Sequence, residues 1–433
     1  MTVRFYTLGC KVNQYDSEAM LEAFLARGYT VAPQGAPADV YVVNTCTVTG
    51  TGDQKSMQAA RRFKRQNPQG ELVLAGCLAQ RMGEKLRETG ARLIIGTQYR
   101  ARVAELLEQA IADNTQLIAV ESLQSAPFED VSIRAHAGHT RAVMKIQEGC
   151  DNRCTYCIIP SVRGGVRSKP LANVRSEAQA LAGAGFVELV LTGIHLTSYG
   201  RDLACGVSLA DAIRAAHDAD GVMRIRLGSL EPAVVTQAFV DAAKALPKLC
   251  PQFHLALQSG SDAVLARMKR RYSTAQYRAA VQRIRAVFPD AALTTDVIVG
   301  FPNETDAEFD DTVAFVREIG FLRLHVFPFS PREGTPAATM TGQVPQAVKD
   351  ARVRALIAVG DELANGYRHA LLGTVQPVLL EVRGATGVCT GYTPQYVHVA
   401  VAGGLPGRVA QVRLTAITKE GMTGELVEMC SSP

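Results

Sequence analysis

Between residue 3 and about residue 112, short apolar runs alternate with polar stretches able to form helices. The runs are VRFYTLGC, DVYVVNTC and ELVLAGC, and their alternation with helical sequence is the grammar of an open parallel α/β sheet. Each run ends in a cysteine: Cys10, Cys46 and Cys77. In a parallel sheet the carboxyl ends of the strands share one edge, where such folds build their sites. Three thiols far apart in sequence would then converge.

Residues 121–140 are weakly patterned and read as a linker. A second α/β series follows, with strands expected at AVMKIQEGC (142–150), FVELVLTG (186–193), VMRIRLGS (222–229), FHLALQS (253–259), LTTDVIVG (293–300) and LRLHVFPFS (322–330). Helical patterns such as AVVTQAFVDAAKAL and TDAEFDDTVAFVREI separate them. Six βα units fit a partial parallel barrel, a shorter relative of the eightfold barrel, with its site at the strand C-termini. Cys150, Thr192, Ser229, Gln258 and Ser259 fall at those ends. Residues 346–370 read as one long helix, and the short β runs over 374–427 predict a small antiparallel β-barrel. The expected fold class is α/β: an open sheet domain over 1–120, the linker over 121–140, a partial barrel with its long helix over 141–370, and a β-domain over 371–433.

The 433 residues, 47% hydrophobic and 20% charged, suit roughly three globular domains, each with its own core. No apolar run approaches the ~18 residues of a membrane span, and residues 1–10 lack a basic region followed by a long apolar stretch. A soluble, cytoplasmic protein with no membrane partner is expected. The net charge of +5 permits a polyanionic partner without requiring one. Ten cysteines are too sparse for a disulfide scaffold of this length, which favours metal or cluster ligation.

The strongest chemical signal is Cys150-Asp-Asn-Arg-Cys154-Thr-Tyr-Cys157. Three cysteines on one loop can hold three irons of a 4Fe-4S cube, and with no fourth cysteine nearby one iron stays open. An open iron can chelate the amino and carboxylate groups of S-adenosylmethionine. The alternative is a zinc knuckle completed by a distant His or Cys. Two details weigh against it: the motif closes a barrel strand, and Tyr156 fills an aromatic slot common in radical S-adenosylmethionine enzymes, which this loop resembles closely. Cys10, Cys46 and Cys77 would singly be core packing. Jointly, at equivalent strand ends, they read as ligands of a second 4Fe-4S cluster whose open iron could carry sulfur.

Residues 9–18 (GCKVNQYDSE), 44–49 (NTCTVT) and 76–77 (GC) resemble the amino-terminal domain of the methylthiotransferases. The resemblance continues through 145–150 (KIQEGC), 158–160 (IIP), 163–164 (RG), 167–168 (RS), 257–262 (LQSGSD), 296–302 (DVIVGFP) and 327–332 (FPFSPR), and the β-domain stands where this family carries its TRAM module. Lys11-Val12-Asn13-Gln14-Tyr15 is similar to the MtaB-type branch, which acts on N6-threonylcarbamoyladenosine. Isopentenyladenosine enzymes more often read Gln-Met-Asn there, and ribosomal-protein enzymes Pro-Lys-Asn. RLGSLEP (226–232) and GYTP (391–394) fit the same branch. Residues 49–53 (TGTGD) and 160–163 (PSVR) depart from the usual family pattern without losing a cluster ligand.

The resemblance implies two 4Fe-4S clusters and S-adenosylmethionine. The cluster on Cys150, Cys154 and Cys157 would generate a 5'-deoxyadenosyl radical to attack the C2–H bond of adenine, and the cluster on Cys10, Cys46 and Cys77 would present a methylated sulfur. The two would face each other across the domain junction. Implied partners are a tRNA anticodon loop, an electron donor such as a flavodoxin, and a sulfur source, serving a monomeric enzyme. Rival readings are a methylthiotransferase for isopentenyladenosine or for a ribosomal-protein aspartate, a non-catalytic zinc-stabilised RNA-binding protein, and a radical enzyme of other chemistry whose second cluster only relays electrons.

Thr192, Gly193, Ser229, Glu231, Gln258 and Ser259 are candidates for cofactor or base contacts, against structural polar networks at a barrel mouth. Val297 to Gly300 would approach the cofactor's adenine, unless Gly300 only turns the chain. Arg163, Arg167 and Lys169 could meet the cofactor carboxylate or RNA phosphate. RRFKR (61–65) and RMKRRY (267–272), including Arg270 and Arg271, could track phosphates with aromatics interleaved, against plain solvated helix faces. His195 reads as a structural histidine, and Cys205, Cys250, Cys389 and Cys430 as inert.

Overall fold

The computed structural model describes residues 1–124, 126–133, 139–204 and 206–430. Cys205 and part of the expected linker lie outside the described residues. No helix among those described is long and apolar enough to cross a membrane.

The amino-terminal sheet has six parallel strands in the spatial order Thr30–Val31, Thr2–Thr7, Val40–Thr45, Glu71–Gly76, Leu93–Ile95, Leu117–Ala119. Strands Val40–Thr45 and Glu71–Gly76 are buried almost throughout and read as unbroken apolar sequence because helices cover both faces. The strand order reverses between Thr2–Thr7 and Val40–Thr45, and a crevice opens at the carboxyl ends of strands at such a point. Cys10 and Cys46 follow the two strands that flank it, and Cys77 follows the next strand along, Glu71–Gly76.

The six expected barrel strands are all present. Ala142–Glu148, Glu188–Gly193 and Arg224–Leu227 pair in parallel, as do Ser229–Leu230, Gln252–Leu255, Ala292–Val299 and Arg323–Pro328. Arg224–Leu227 ends one four-stranded sheet and Ser229–Leu230 begins the other, with Gly228 between them. A short antiparallel strand, Arg167–Ser168, borders the first. One continuous core fills the space between strands and helices, with Met144, Leu191, Ile225, Phe253, Leu293 and Val316 at its centre.

Helix Gln346–Leu371 leads into a closed barrel of five strands, Val375–Arg383, Val388–Tyr392, His398–Ala402, Met422–Met429 and Val409–Ile417 in spatial order. Four pairings are antiparallel and one, His398–Ala402 with Met422–Met429, is parallel. A closed ring with an odd number of strands cannot alternate direction all the way round, so one parallel pair is obligatory. This domain sits against the amino ends of the central strands, where Ala292 and Leu322 share its core.

Candidate functional site

Strand Ala142–Glu148 ends in Gly149 at φ +73°, where a Cβ would lie 1.7 Å from the Gly165 carbonyl oxygen. Only glycine lets the chain fold back so closely. The loop of residues 150–157 is then pinned. Cys150 N donates to Gly164 O (2.9 Å), Thr155 N to Met268 O (3.1 Å) and Thr155 Oγ1 to Arg267 O (3.0 Å). Tyr156 packs on a cluster containing Val264, Met268, Phe301 and Phe329. A cavity of about 1020 Å³ opens beside Cys150, Cys154 and Cys157.

Arg270, expected to meet RNA, instead supports this loop. Its Nη1 donates to Cys154 Sγ (3.3 Å), its Nη2 is 2.7 Å from Glu231 Oε1, and its guanidinium lies 4.9 Å from the Tyr272 ring centre. Glu231 also accepts from Asn152 Nδ2 (3.1 Å) and pairs with His195 Nε2 (3.2 Å). Burial would raise the Glu231 carboxyl, but His195, Arg270 and Asn152 outweigh it and hold it at about 2. With all three partners engaged, Glu231 braces the cysteine loop from beneath.

The amino-terminal cysteines rest on similar constraints. Gly76, at φ +92°, leaves 2.3 Å between a built Cβ and Asn44 Oδ1, so no side chain fits before Cys77. Asn13 Nδ2 donates to Leu8 O (2.7 Å) and Thr45 O (2.9 Å), binding the Cys10 loop to the Cys46 loop. Thr49 caps the next helix by accepting from Gly52 N (3.1 Å), and Asp53 accepts from Arg81 (3.0 Å) and Arg332 (2.7 Å). The departing stretch 49–53 therefore forms a cap and an anchor for the 327–332 motif.

Burial pushes the thiols of Cys77 and Cys150 up to about 11 and Cys157 up to about 12, and raises Cys46. Such thiols are poor nucleophiles when free. Their chemistry suits a metal that displaces the proton. Among the described residues only His254, Asp296 and His325 bring three candidate ligand atoms all within 4.8 Å of one another. Neither cysteine trio is drawn so tight, whereas tetrahedral zinc with Zn–S of ~2.3 Å would hold its sulfurs ~3.8 Å apart. Three thiol donors on each side, with no fourth among their neighbours in sequence, are a donor set suited to an iron-sulfur cluster.

Arg163 joins the two cysteine sites. It has no exposed surface, and its guanidinium donates to Cys77 Sγ (3.2 Å), Asp16 (2.8 Å), Glu148 (2.9 Å) and Asn13 Oδ1. Lys145 and Arg100 bind the same two carboxylates from other sides. Burial would raise Asp16 and Glu148, but Arg100, Lys145 and Arg163 hold both below the ordinary range. The RNA role expected for Arg163 gives way to this one, because a side chain with no exposed surface cannot meet a phosphate. Arg167 is nearly buried as well and donates to the Arg163 carbonyl. Lys169 is spent on Glu177 and the Val131 carbonyl.

A cavity of about 500 Å³ runs from Gly9, Cys10 and Lys11 down the open side of the partial barrel to Tyr396. Thr192, Gly193 and Ser229 line it. It extends further, to Gln252, His254, Thr294, Asp296, Arg323 and His325. These polar residues fall in pairs two apart on three strands, the spacing that puts both members on one face, and that alternation was the available signal.

Three family models match: an uncharacterized family, UPF0004, over residues 2–96, the radical SAM superfamily over 144–316, and the TRAM domain over 370–427. The chain is 39% identical to the threonylcarbamoyladenosine tRNA methylthiotransferase MtaB of Bacillus subtilis, across 95% of this chain and 93% of that one. The chain belongs to the radical SAM tRNA methylthiotransferases. The tRNA-2-methylthio-N(6)-dimethylallyladenosine synthase of Frankia alni is 38% identical across 97% of this chain and 87% of its own, so overall identity does not separate the branches. In fold, the chain is similar to the radical S-adenosylmethionine methyltransferase TsrM of Kitasatospora setae, at TM-score 0.56 and 14% identity over 78% of this chain and 75% of that one.

In this methylthiotransferase several expected contacts serve packing. Ser259 is fully buried, its Oγ bonded to Thr312 Oγ1 (3.2 Å) and accepting from Ser261 N (3.2 Å). Val297 points into the core, and Gly300, at φ +69°, is packed under Lys349, whose Cγ would lie 2.4 Å from a Cβ. Gln258 holds a left-handed backbone (φ 65°) bridged to Val297 at the mouth of the barrel. Phe63, Met268 and Tyr272 are buried, so neither basic run offers aromatics for base stacking, while Arg61 and Arg271 remain exposed. The 226–232 and 391–394 motifs touch: Arg226 donates to Pro394 O (2.9 Å) and Thr393 O (3.3 Å).

Proposed function

We propose that this enzyme methylthiolates carbon 2 of N6-threonylcarbamoyladenosine beside the anticodon of tRNA, in the cytoplasm. The carrying observation is the cavity that begins at Cys10, where the cations Lys11, Arg226 and Arg323 stand among apolar surface from Val12, Leu227, Phe327 and Tyr396. An isopentenyl group has no function to answer those cations, whereas a threonylcarbamoyl group carries hydroxyl, amide and carboxylate functions that they can bind.

Cys150, Cys154 and Cys157 would hold one 4Fe-4S cluster with an open iron for S-adenosylmethionine, and Cys10, Cys46 and Cys77 a second. When bound, these groups supply the one-electron cleavage of S-adenosylmethionine and the sulfur, chemistry that side-chain acids and bases cannot perform on an inert aromatic C–H bond. The chain's own part is placement. Arg270, Glu231 and Asn152 fix the first loop, Asn13 and Gly76 the second, and Arg163 locks the two together. Thr192, Gly193 and Ser229 border the space where the base would lie, in a cavity lined by residues of all three domains. A reductant of flavodoxin type and a sulfur source complete the turnover, and Arg271 is available to backbone phosphate.

The test offers anticodon stem-loops bearing N6-threonylcarbamoyladenosine or isopentenyladenosine to one anaerobic preparation. A mass increase of one methylthio group on the first alone supports the proposal. Modification of the second alone contradicts it.

A further inference from the structure

We infer that Lys11 and Arg323 form an anion site within the cavity, and that its ligand is the carboxylate carried on N6 of the substrate adenosine; this rests on the threonylcarbamoyladenosine reading. The argument is a balance of charges around the cavity. Arg226 is neutralised by Glu188 (2.9 Å), with its remaining donors spent on Thr393 and Pro394. Arg141 is paired with Glu381 (2.6 Å), and Asp296 lies 3.3 Å from His254. Two cations remain. Neither Lys11 nor Arg323 has an ion pair or side-chain hydrogen bond among the described residues, and both line the cavity.

Lys11 and Arg323 are both exposed to the cavity. With Lys11, Arg226 and Arg323 set against the single carboxylate of Asp296 among its lining residues, the cavity is electropositive and attracts an anion. At about 500 Å³ it has the size of a site for one nucleoside with its substituent. Cys10 at one end marks where carbon 2 must come, and the N6 arm on the same ring edge then extends into the space that Lys11 and Arg323 border. A backbone phosphate is the other source of negative charge, and it lies outside the base-sized part of the site.

The experiment uses three stem-loops: the natural acid, its methyl ester, and the isopentenyl nucleoside. Binding is measured without S-adenosylmethionine and kcat/KM with it, for the cluster-loaded wild-type enzyme, Lys11→Gln, Arg323→Gln and the double variant. The expected result is that wild-type enzyme favours acid over ester by about 10-fold or more. Each single variant loses about 10-fold on the acid and stays within about twofold on the ester, and the double variant no longer discriminates. Iron content and cluster spectra accompany each variant because Lys11 adjoins Cys10. Arg323→Gln, remote in sequence from every cysteine, keeps the test decisive if Lys11→Gln loses iron. Equal losses on acid and ester would assign the cations to phosphate and overturn the inference, as would no loss at all. Failure of the substrate reading shows separately, as wild-type enzyme modifying only the isopentenyl stem-loop.

Discussion

Arg163 Nε donates to the Sγ of Cys77 across 3.2 Å. One residue follows the radical SAM cysteine loop and the other ends a strand of the amino-terminal sheet, so this bond spans the two halves of the site. The same guanidinium is held by Asp16 and Glu148, leaving it little freedom to move.

Arg163→Gln removes a positive charge and a sulfur hydrogen bond next to the proposed second cluster. Less positive surroundings disfavour the extra electron of a reduced cluster, so its reduction potential falls. An EPR-monitored redox titration reads this directly. The variant also leaves buried carboxylates undercompensated and loses about 3–5 kcal/mol of stability. Arg163→Lys, which keeps the charge, falls between the two.

Cys157→Ala abolishes cleavage of S-adenosylmethionine. Cys46→Ala spares that cleavage and ends methylthio transfer. Chromatography of 5'-deoxyadenosine alongside the RNA product separates the effects, and full product yield from Cys46→Ala would exclude a sulfur-delivering second cluster.

Gly76→Ala places a methyl group 2.3 Å from Asn44 Oδ1 and 2.7 Å from Thr45 O at φ +92°, a conformation only glycine adopts without strain. The strand end must shift, carrying Cys77 with it. Anaerobic preparations of the variant should contain close to half the wild-type iron, with the signal of the cluster on Cys150, Cys154 and Cys157 intact.

The fold was legible in the sequence where burial on both faces leaves unbroken apolar runs, as in Val40–Thr45 and Glu188–Gly193. The six cysteines were legible because each stands at the end of such a run or in one tight loop. Arg163 and Arg270 were not. A basic residue beside a site looks the same in sequence whether it meets RNA or supports a cysteine, and only packing against Asp16, Glu148 and Glu231 decides between them. The contact of Arg226 with Thr393 and Pro394 joins segments some 167 residues apart and leaves no local trace. His254, Asp296, Arg323 and His325 did leave one, as alternating polar positions in barrel strands whose inward face would otherwise be apolar.

The central claim is tested most directly by mass spectrometry of nucleosides from the tRNA of cells with and without this gene. The account predicts that 2-methylthio-N6-threonylcarbamoyladenosine disappears on deletion, that its unmethylthiolated precursor accumulates, and that the wild-type gene restores the product while a Cys46→Ala copy does not. An unchanged level of the methylthiolated nucleoside in the deletion strain would contradict the account.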